Sequence, residues 1–369
     1  PFFMAKNNKP AGVLLTRFSA LVDVAMTVPA VYDACRANPE VRFIFVTRPG
    51  PAGVFVNPPP NLAVEGIDLN LFKGPGGIWR LTRQLIKKYG ADTYVDLHDV
   101  LRTRIMRAAA RLHGLKVTRL DKMRRRRREL ISGHDRTPLR PTVARYADAI
   151  ETAGLRRGGG FTSVYDGHQA DPALFAAVTV PRRPDETWVA IAPFAAHAGK
   201  RLPLSLVREV TATLLSRPGV RIFVMGFGPD ESRIIDSITP EHTSGRLLNM
   251  AALRAGITAE LALMSHCDVM LTADSANMHL ASLAGLPAVS VWGATHPAAG
   301  FLGYGQRLSD CVQIDMDCRP CSIYGNRPCR HPEGDTTYPC LNRITAGRVL
   351  ECLDEVLQRN KTTSPPNQQ

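Results

Sequence analysis

Short apolar runs alternate with stretches of helical spacing along the whole chain. In the first half, Val13–Thr16, Val41–Thr47, Leu62–Ile67 and Thr93–Leu97 read as strands. Ala20–Ala37, Gly76–Tyr89 and Leu101–Leu112 carry apolar residues at helical spacing, and Pro141–Ala153 reads as one more helix. In Gly76–Tyr89 the apolar face is Ile78, Leu81, Leu85 and Ile86. The second half repeats the theme. Trp188–Pro193, Val220–Met225, Asp268–Thr272 and Pro287–Trp292 are strand-like. Leu204–Ser216, Thr258–His266, Ser275–Ala284 and Ile344–Leu357 are helix-like, with Thr258 expected to cap its helix.

Repeated β-then-α units predict an α/β chain whose parallel sheets are covered on both faces. A turn-rich break at Arg156–Gly160 and Pro181–Pro184 divides the two halves, and the linker is expected near 175–187. The reading is therefore two Rossmann-like, doubly wound domains facing a cleft: residues 1–180, residues 187–345, and a C-terminal helix with a disordered tail over 346–369. Ligands of such sheets bind outside the strand C-termini.

Composition changes this picture in three ways. No run of about 18 apolar residues exists, so no transmembrane helix is expected. Pro1–Pro10 lacks a basic-then-apolar secretory pattern, which makes the cytoplasm the expectation, with Met4 a candidate true start. The net charge of +13 is uneven: residues 1–150 hold 26 Lys/Arg and 12 Asp/Glu, while the rest holds 20 and 21. One half is thus expected to meet an anionic partner, whether nucleic acid, anionic membrane or acidic substrate.

The richest chemistry lies in Asp268–Gly293, DVMLTADSANMHLASLAGLPAVSVWG. A buried strand runs into Ala273-Asp274-Ser275-Ala276-Asn277 and a helix begins at once. Unpaired N–H groups and the positive dipole of a helix start suit a diphosphate, and small Ser275 and Ala276 let it approach. An ordinary crossover with an Asp or Ser N-cap would give the same local pattern. The longer order of residues goes further. Asp-Ser-Ala-Asn-Met-His-Leu-Ala, then Gly-Leu-Pro-Ala-Val-Ser-Val-Trp-Gly-Ala-Thr-His-Pro, resembles the donor-binding signature of family 9 (heptosyltransferase-type) glycosyltransferases. Ser275-Ala276 replaces the family's Thr-Gly. Ala192–Pro203 (APFAAHAGKRLP) resembles the family's Lys-x-Trp-Pro element, with Lys200 as the Lys and Leu202 in place of the Trp. Thr16–Val24 resembles its Ser-x-Leu-Gly-Asp loop, with Ser19, Leu21 and Asp23 matching and Val22 where the family has Gly. A β-branched Val tolerates positive φ badly, so this position is in question. A Cys-rich loop before the last helix also agrees with the family.

The resemblance implies the GT-B architecture and an inverting, metal-independent transfer from a nucleotide-sugar. Asp23 would be the general base, though it would equally suit the first turn of a helix. Lys200, Asp274, Ser275, Ala276, Asn277 and His279 would hold the donor diphosphate, with His279 either shaping the loop or sitting in the core. The favoured donor is ADP-heptose and the favoured acceptor the lipopolysaccharide inner core, with no cofactor. Arg124, Arg125, Arg126, Arg127 and Arg128 would face that anionic glycolipid, or the cytoplasmic face of the inner membrane that carries it. No aromatic interleaving or zinc-finger spacing points to nucleic acid, and none is expected as a partner. Cys318, Cys321, Cys329 and Cys340 are candidates for a structural zinc or plain packed thiols. The rival readings are a GT-B relative with another nucleotide-sugar, an epimerase-like enzyme, and a basic RNA- or membrane-binding module on the same fold.

Overall fold

A computed structural model of the chain describes residues 10–239, 245–333 and 337–363. The N-terminal residues through 9, with Met4, and the tail from 364 lie outside the described residues. Contacts divide the chain into two units: 1–122 with 142–164, and 123–141 with 165–369.

The first unit holds strands β1 (Gly12–Thr16), β2 (Arg42–Thr47), β3 (Leu62–Gly66), β4 (Thr93–Asp96) and β5 (Lys116–Arg119), all parallel, in the order β3-β2-β1-β4-β5. Central β1 is buried at every residue, as a strand covered on both faces must be. The helices are α1 (Leu21–Ala25), α2 (Val28–Ala37), α3 (Pro49–Ala52), α4 (Gly74–Tyr89), α5 (Leu101–Leu112) and, beyond a helix of the other unit, Thr142–Thr152. Ile78, Leu81 and Leu85 of α4 meet Met106 and Ala110 of α5 over Leu14, Ile44 and Val46. Burying each large side chain contributes roughly 1.5–3 kcal/mol. The single helix expected over Ala20–Ala37 is two, broken at Met26-Thr27, with Pro29 in the first turn of α2, where its missing N–H costs nothing.

The second unit begins with α6 (Arg124–Ser132), after which Thr142–Thr152 is α7. Its sheet has β6 (Thr187–Ala192), β7 (Val220–Val224), β8 (Leu247–Asn249), β9 (Val269–Ala273), β10 (Ala288–Trp292) and β11 (Cys311–Gln313), parallel, in the order β11-β10-β9-β6-β7-β8. The helices are α8 (Leu204–Leu215), α9 (Gly228–Ile238), α10 (Met250–Leu253), α11 (Ile257–Met264), α12 (Ala276–Ala284), α13 (Pro339–Asn342) and α14 (Ala346–Thr363). Gly256, not Thr258, caps α11. Val349, Leu353 and Val356 of α14 belong to the same core as Val189, Ile191, Leu271 and Val291, so the last helix is part of this unit rather than an appendage.

These limits differ from the boundary read at 180. The segment 123–141 is fastened to the second unit by Leu139 N–H on Ala298 O (2.8 Å) and by Arg136 on the carbonyls of Asp317 (2.8 Å) and Arg319 (3.1 Å). Residues 165–180 join it through Ala170, whose N–H meets Ser265 Oγ (2.9 Å), and Phe175, edge-on to Trp188 and His266. Counted by unit, the first carries 21 Lys/Arg against 11 Asp/Glu and the second 25 against 22, so the basic excess still lies mainly in the first.

Candidate active site

Each sheet reverses its winding once, between β1 and β4 in the first unit and between β6 and β9 in the second. Ligands of doubly wound sheets sit outside the strand C-termini at that reversal. In the second unit the two segments there are the turn after β6, ending at Lys200, and the turn after β9, Asp274-Ser275. The structure joins them: Lys200 Nζ is 3.1 Å from Asp274 Oδ2, which also accepts from Thr295 Oγ1 (2.8 Å). Asp274 is 3% exposed and Lys200 keeps 16% of its side chain accessible, so a buried carboxylate holds a lysine that is itself only partly buried.

Ser275 is the N-cap of α12 in extended conformation, but its hydroxyl does not cap the helix and lies 3.5 Å from Thr272 Oγ1. The first turn, Ala276 and Asn277, is half-buried, and the first N–H groups of any α-helix have no partner within the helix. His279 is buried at 2% within α12. Leu202, where the related element has Trp, is core, and its N–H bonds Pro193 O (2.9 Å). A lysine and a helix start at the ends of two adjacent strands are the kinds of group that suit an anion.

In the first unit, Asp23 is the third residue of α1. Its Oδ2 accepts the Ala20 N–H (3.2 Å) and pairs with Arg17 Nη2 (2.6 Å). Asp23 therefore does serve the helix start, as its position in the sequence allows. Its side chain is 27% exposed, and both bonds fall on one oxygen, which leaves Oδ1 for a further proton. Val22 lies inside α1 and has no positive φ, so the loop does not need glycine there.

Sequence reasoning missed the residues behind Asp23. Arg17 is 6% exposed, donates to the carbonyls of Ser19 (3.1 Å) and Leu97 (2.8 Å), and lies 5.9 Å from the Tyr146 ring. From β4, Asp96 accepts the N–H groups of His98 (2.9 Å) and Asp99 (2.8 Å) and pairs with Arg107 (3.5 Å). His98 is driven down to about 3, by burial first and then by the charges of Arg17, Lys122 and Arg102, with Asp23 opposing. The legible signal was the titratable run Asp96-Leu97-His98-Asp99 at a strand's C-terminal end.

The sequence model of glycosyltransferase family 9 (heptosyltransferase) matches residues 78–328, about two-thirds of the chain. The chain belongs to glycosyltransferase family 9. It is thus a glycosyltransferase of the heptosyltransferase family, and its two parallel sheets match the GT-B structures of that family. A Veillonella parvula family 9 glycosyl transferase superposes with TM-score 0.69 at 17% identity, covering 95% of this chain and 98% of that one. The E. coli ADP-heptose lps heptosyltransferase II gives 0.67 at 17%, covering 95% and 99%. E. coli heptosyltransferase WaaC with ADP gives 0.60 at 16%, covering 95% and 99%. No curated protein sequence matches the chain.

In this family 9 enzyme, Arg124–Arg128 form the start of α6, which groups with the second unit rather than with the basic first half. Their roles divide. Arg125 and Arg126 bond Glu129 (2.8 and 3.1 Å), and Arg126 also bonds Asp135. Arg127 bonds Tyr324 OH (2.7 Å) with its guanidinium 5.3 Å from the Phe301 ring, so it anchors the helix. Arg124 and Arg128 are exposed. Cys318, Cys321 and Cys329 line a cavity of about 240 Å³ together with His331, while Cys340 is buried nearby. All four are free thiols, and Cys340 is raised to about 11 by burial. Among the described residues no group of three or more His, Cys, Asp or Glu is arranged to hold a metal. No helix of the described residues is long and apolar enough to cross a membrane.

Proposed function

We propose that this enzyme moves heptose from ADP-heptose to a lipopolysaccharide-core-type acceptor, with inversion and without a catalytic metal. The observation that carries the reading is the joining of Lys200 to Asp274 at the open start of α12. An ammonium and helix N–H groups stabilise the charge that develops on the departing diphosphate, the task a metal ion has elsewhere. The E. coli heptosyltransferase whose structure is with ADP supports that nucleotide.

The acceptor hydroxyl attacks the anomeric carbon as the bond to the diphosphate oxygen breaks. ADP leaves with the bond's electron pair toward Lys200 and the first turn of α12. The hydroxyl proton passes to Asp23 Oδ1, while Arg17 and Ala20 hold Oδ2 still. The net +10 of the first unit suits an anionic glycolipid at the cytoplasmic face of the inner membrane. In this reading the exposed arginines of α6, Arg124, Arg125 and Arg128, add to that attraction. The test is transfer from ADP-heptose to a deacylated core acceptor in excess EDTA. Turnover with ADP-heptose, and not with the GDP, UDP or CMP sugars, supports the reading; abolition by EDTA with rescue by a divalent ion refutes the metal-free step.

A further inference from the structure

Lys200 is held at its head by Asp274, and the structure also explains what holds its stem. Ala294, just past β10, stands between two loops. Its N–H donates to Gly199 O (2.9 Å), and its O accepts the N–H groups of Cys321 (3.1 Å) and Ser322 (3.3 Å). The end of β10 thereby ties the lysine turn to the cysteine-rich loop. Ser322 is 1% exposed, and its Oγ accepts from the N–H groups of Gly325 (2.9 Å) and Tyr324 (3.3 Å) and donates to Asn326 Oδ1 (3.0 Å). This closes a tight turn with Gly325 at φ 73°, a conformation that side chains other than hydrogen rarely adopt.

Gly325 lies flat on the lysine. A Cβ there would come 2.5 Å from Lys200 Cγ and 2.6 Å from Cδ. Gly199 is enclosed in turn: its Cβ would meet Ala294 Cβ at 2.9 Å, Tyr338 Cε1 at 3.0 Å and Gly325 O at 3.2 Å. A lysine's flexible four-carbon stem has many rotamers to lose on binding. A wall along its stem removes those rotamers in advance, and pre-organisation of this kind is returned as affinity.

We propose that the 321–326 turn of the cysteine-rich loop is a positioning element for the donor lysine, acting through the close contact of Gly325 with the Lys200 stem. The inference rests on the reading that Lys200 meets the donor diphosphate. Cys321 takes part in this role through its backbone N–H, which bonds Ala294 O.

The test is a cycle of ADP titrations by calorimetry on the full chain: wild type, Gly325→Ala, Lys200→Ala and the double variant. Gly325→Ala is expected to weaken ADP about tenfold or more (about 1.4 kcal/mol per tenfold). In the Lys200→Ala background the same change is expected to alter ADP affinity less than about twofold. A loss of equal size in both backgrounds would mean general damage to the loop and overturns the proposal, as would no loss when Gly325→Ala is made in the otherwise wild-type chain. If Lys200→Ala itself leaves ADP affinity unchanged, the donor-site reading fails and takes this one with it, a result distinct from failure of Gly325→Ala alone. Should Gly325→Ala not fold, Ser322→Ala, which unties the turn without adding an atom, serves in the same cycle. It is expected to show a smaller loss that also vanishes without Lys200, and an equal loss in both backgrounds overturns the proposal.

Discussion

The Lys200–Asp274 pair makes a strong prediction about stability as well as binding. Lys200→Met leaves a carboxylate whose side chain is 4% exposed, with the Thr295 hydroxyl as its side-chain donor among the described residues. Removing one partner of a buried pair costs about 3–5 kcal/mol. Asp274→Asn is milder. It loses a charge-assisted bond, about 1.5–3 kcal/mol, but the lysine side chain is partly accessible and its long stem lets the head swing to water. The double variant leaves no stranded charge, so its loss should fall short of the sum of the single losses by about 2–3 kcal/mol, the size expected for directly coupled residues. Urea unfolding followed by tryptophan fluorescence reads this in the right unit, because Trp188 and Trp292 are fully buried there. Single losses that add to within about 0.5 kcal/mol would show that the pair is not coupled, and the site as described would be wrong.

Arg17→Met strands the Ser19 and Leu97 carbonyls and releases Asp23; kcat should fall at least about tenfold with ADP affinity intact, Arg17→Lys should recover part of it, and unchanged kcat would show that Arg17 does not hold the base. His98 has a folded value of about 3, below the unfolded value of about 6.5, so the unfolded chain binds the extra proton between them. The stability that this neutral ring supplies is complete above about pH 6.5 and is lost as pH falls toward 3. Thermal melts from pH 6.5 to 5 should therefore decline less steeply in His98→Gln, and an unaltered slope would contradict the burial of a neutral imidazole.

Much of the fold was legible because buried strands write long apolar runs. Val13–Thr16, Val220–Met225 and Pro287–Trp292 mark β1, β7 and β10 to within a residue or two. The strands overlooked, β5 (KVTR), β8 (LLN) and β11 (CVQ), lie at sheet edges, are three or four residues long and are partly exposed, so no apolar run marks them. Helix α6 was unreadable for a related reason. It buries only Leu130, and beyond the i,i+3 and i,i+4 pairs with Glu129 its arginines are held by Asp135 and Tyr324, contacts that no periodicity encodes.

The site divides in the same way. Lys200, Asp274 and Asp23 could be named from motifs, but their partners could not. Arg17, Thr295 and Gly325 reach them across 6, 21 and 125 positions, and only the topology brings those positions together. The five arginines show the limit most clearly. Sequence order assigned them to the basic first half, whereas Arg127 on Tyr324 and Phe301 fixes their helix to the second unit.

The most direct test of the central claim is single-turnover transfer from ADP-heptose by Asp23→Asn, alongside ADP titration of the same protein. The asparagine keeps the size of the side chain and cannot take the proton. The account predicts that transfer falls by at least about a hundredfold, the range for loss of a general base, while ADP affinity stays within about twofold of wild type. A variant that transfers heptose at the wild-type rate would contradict it.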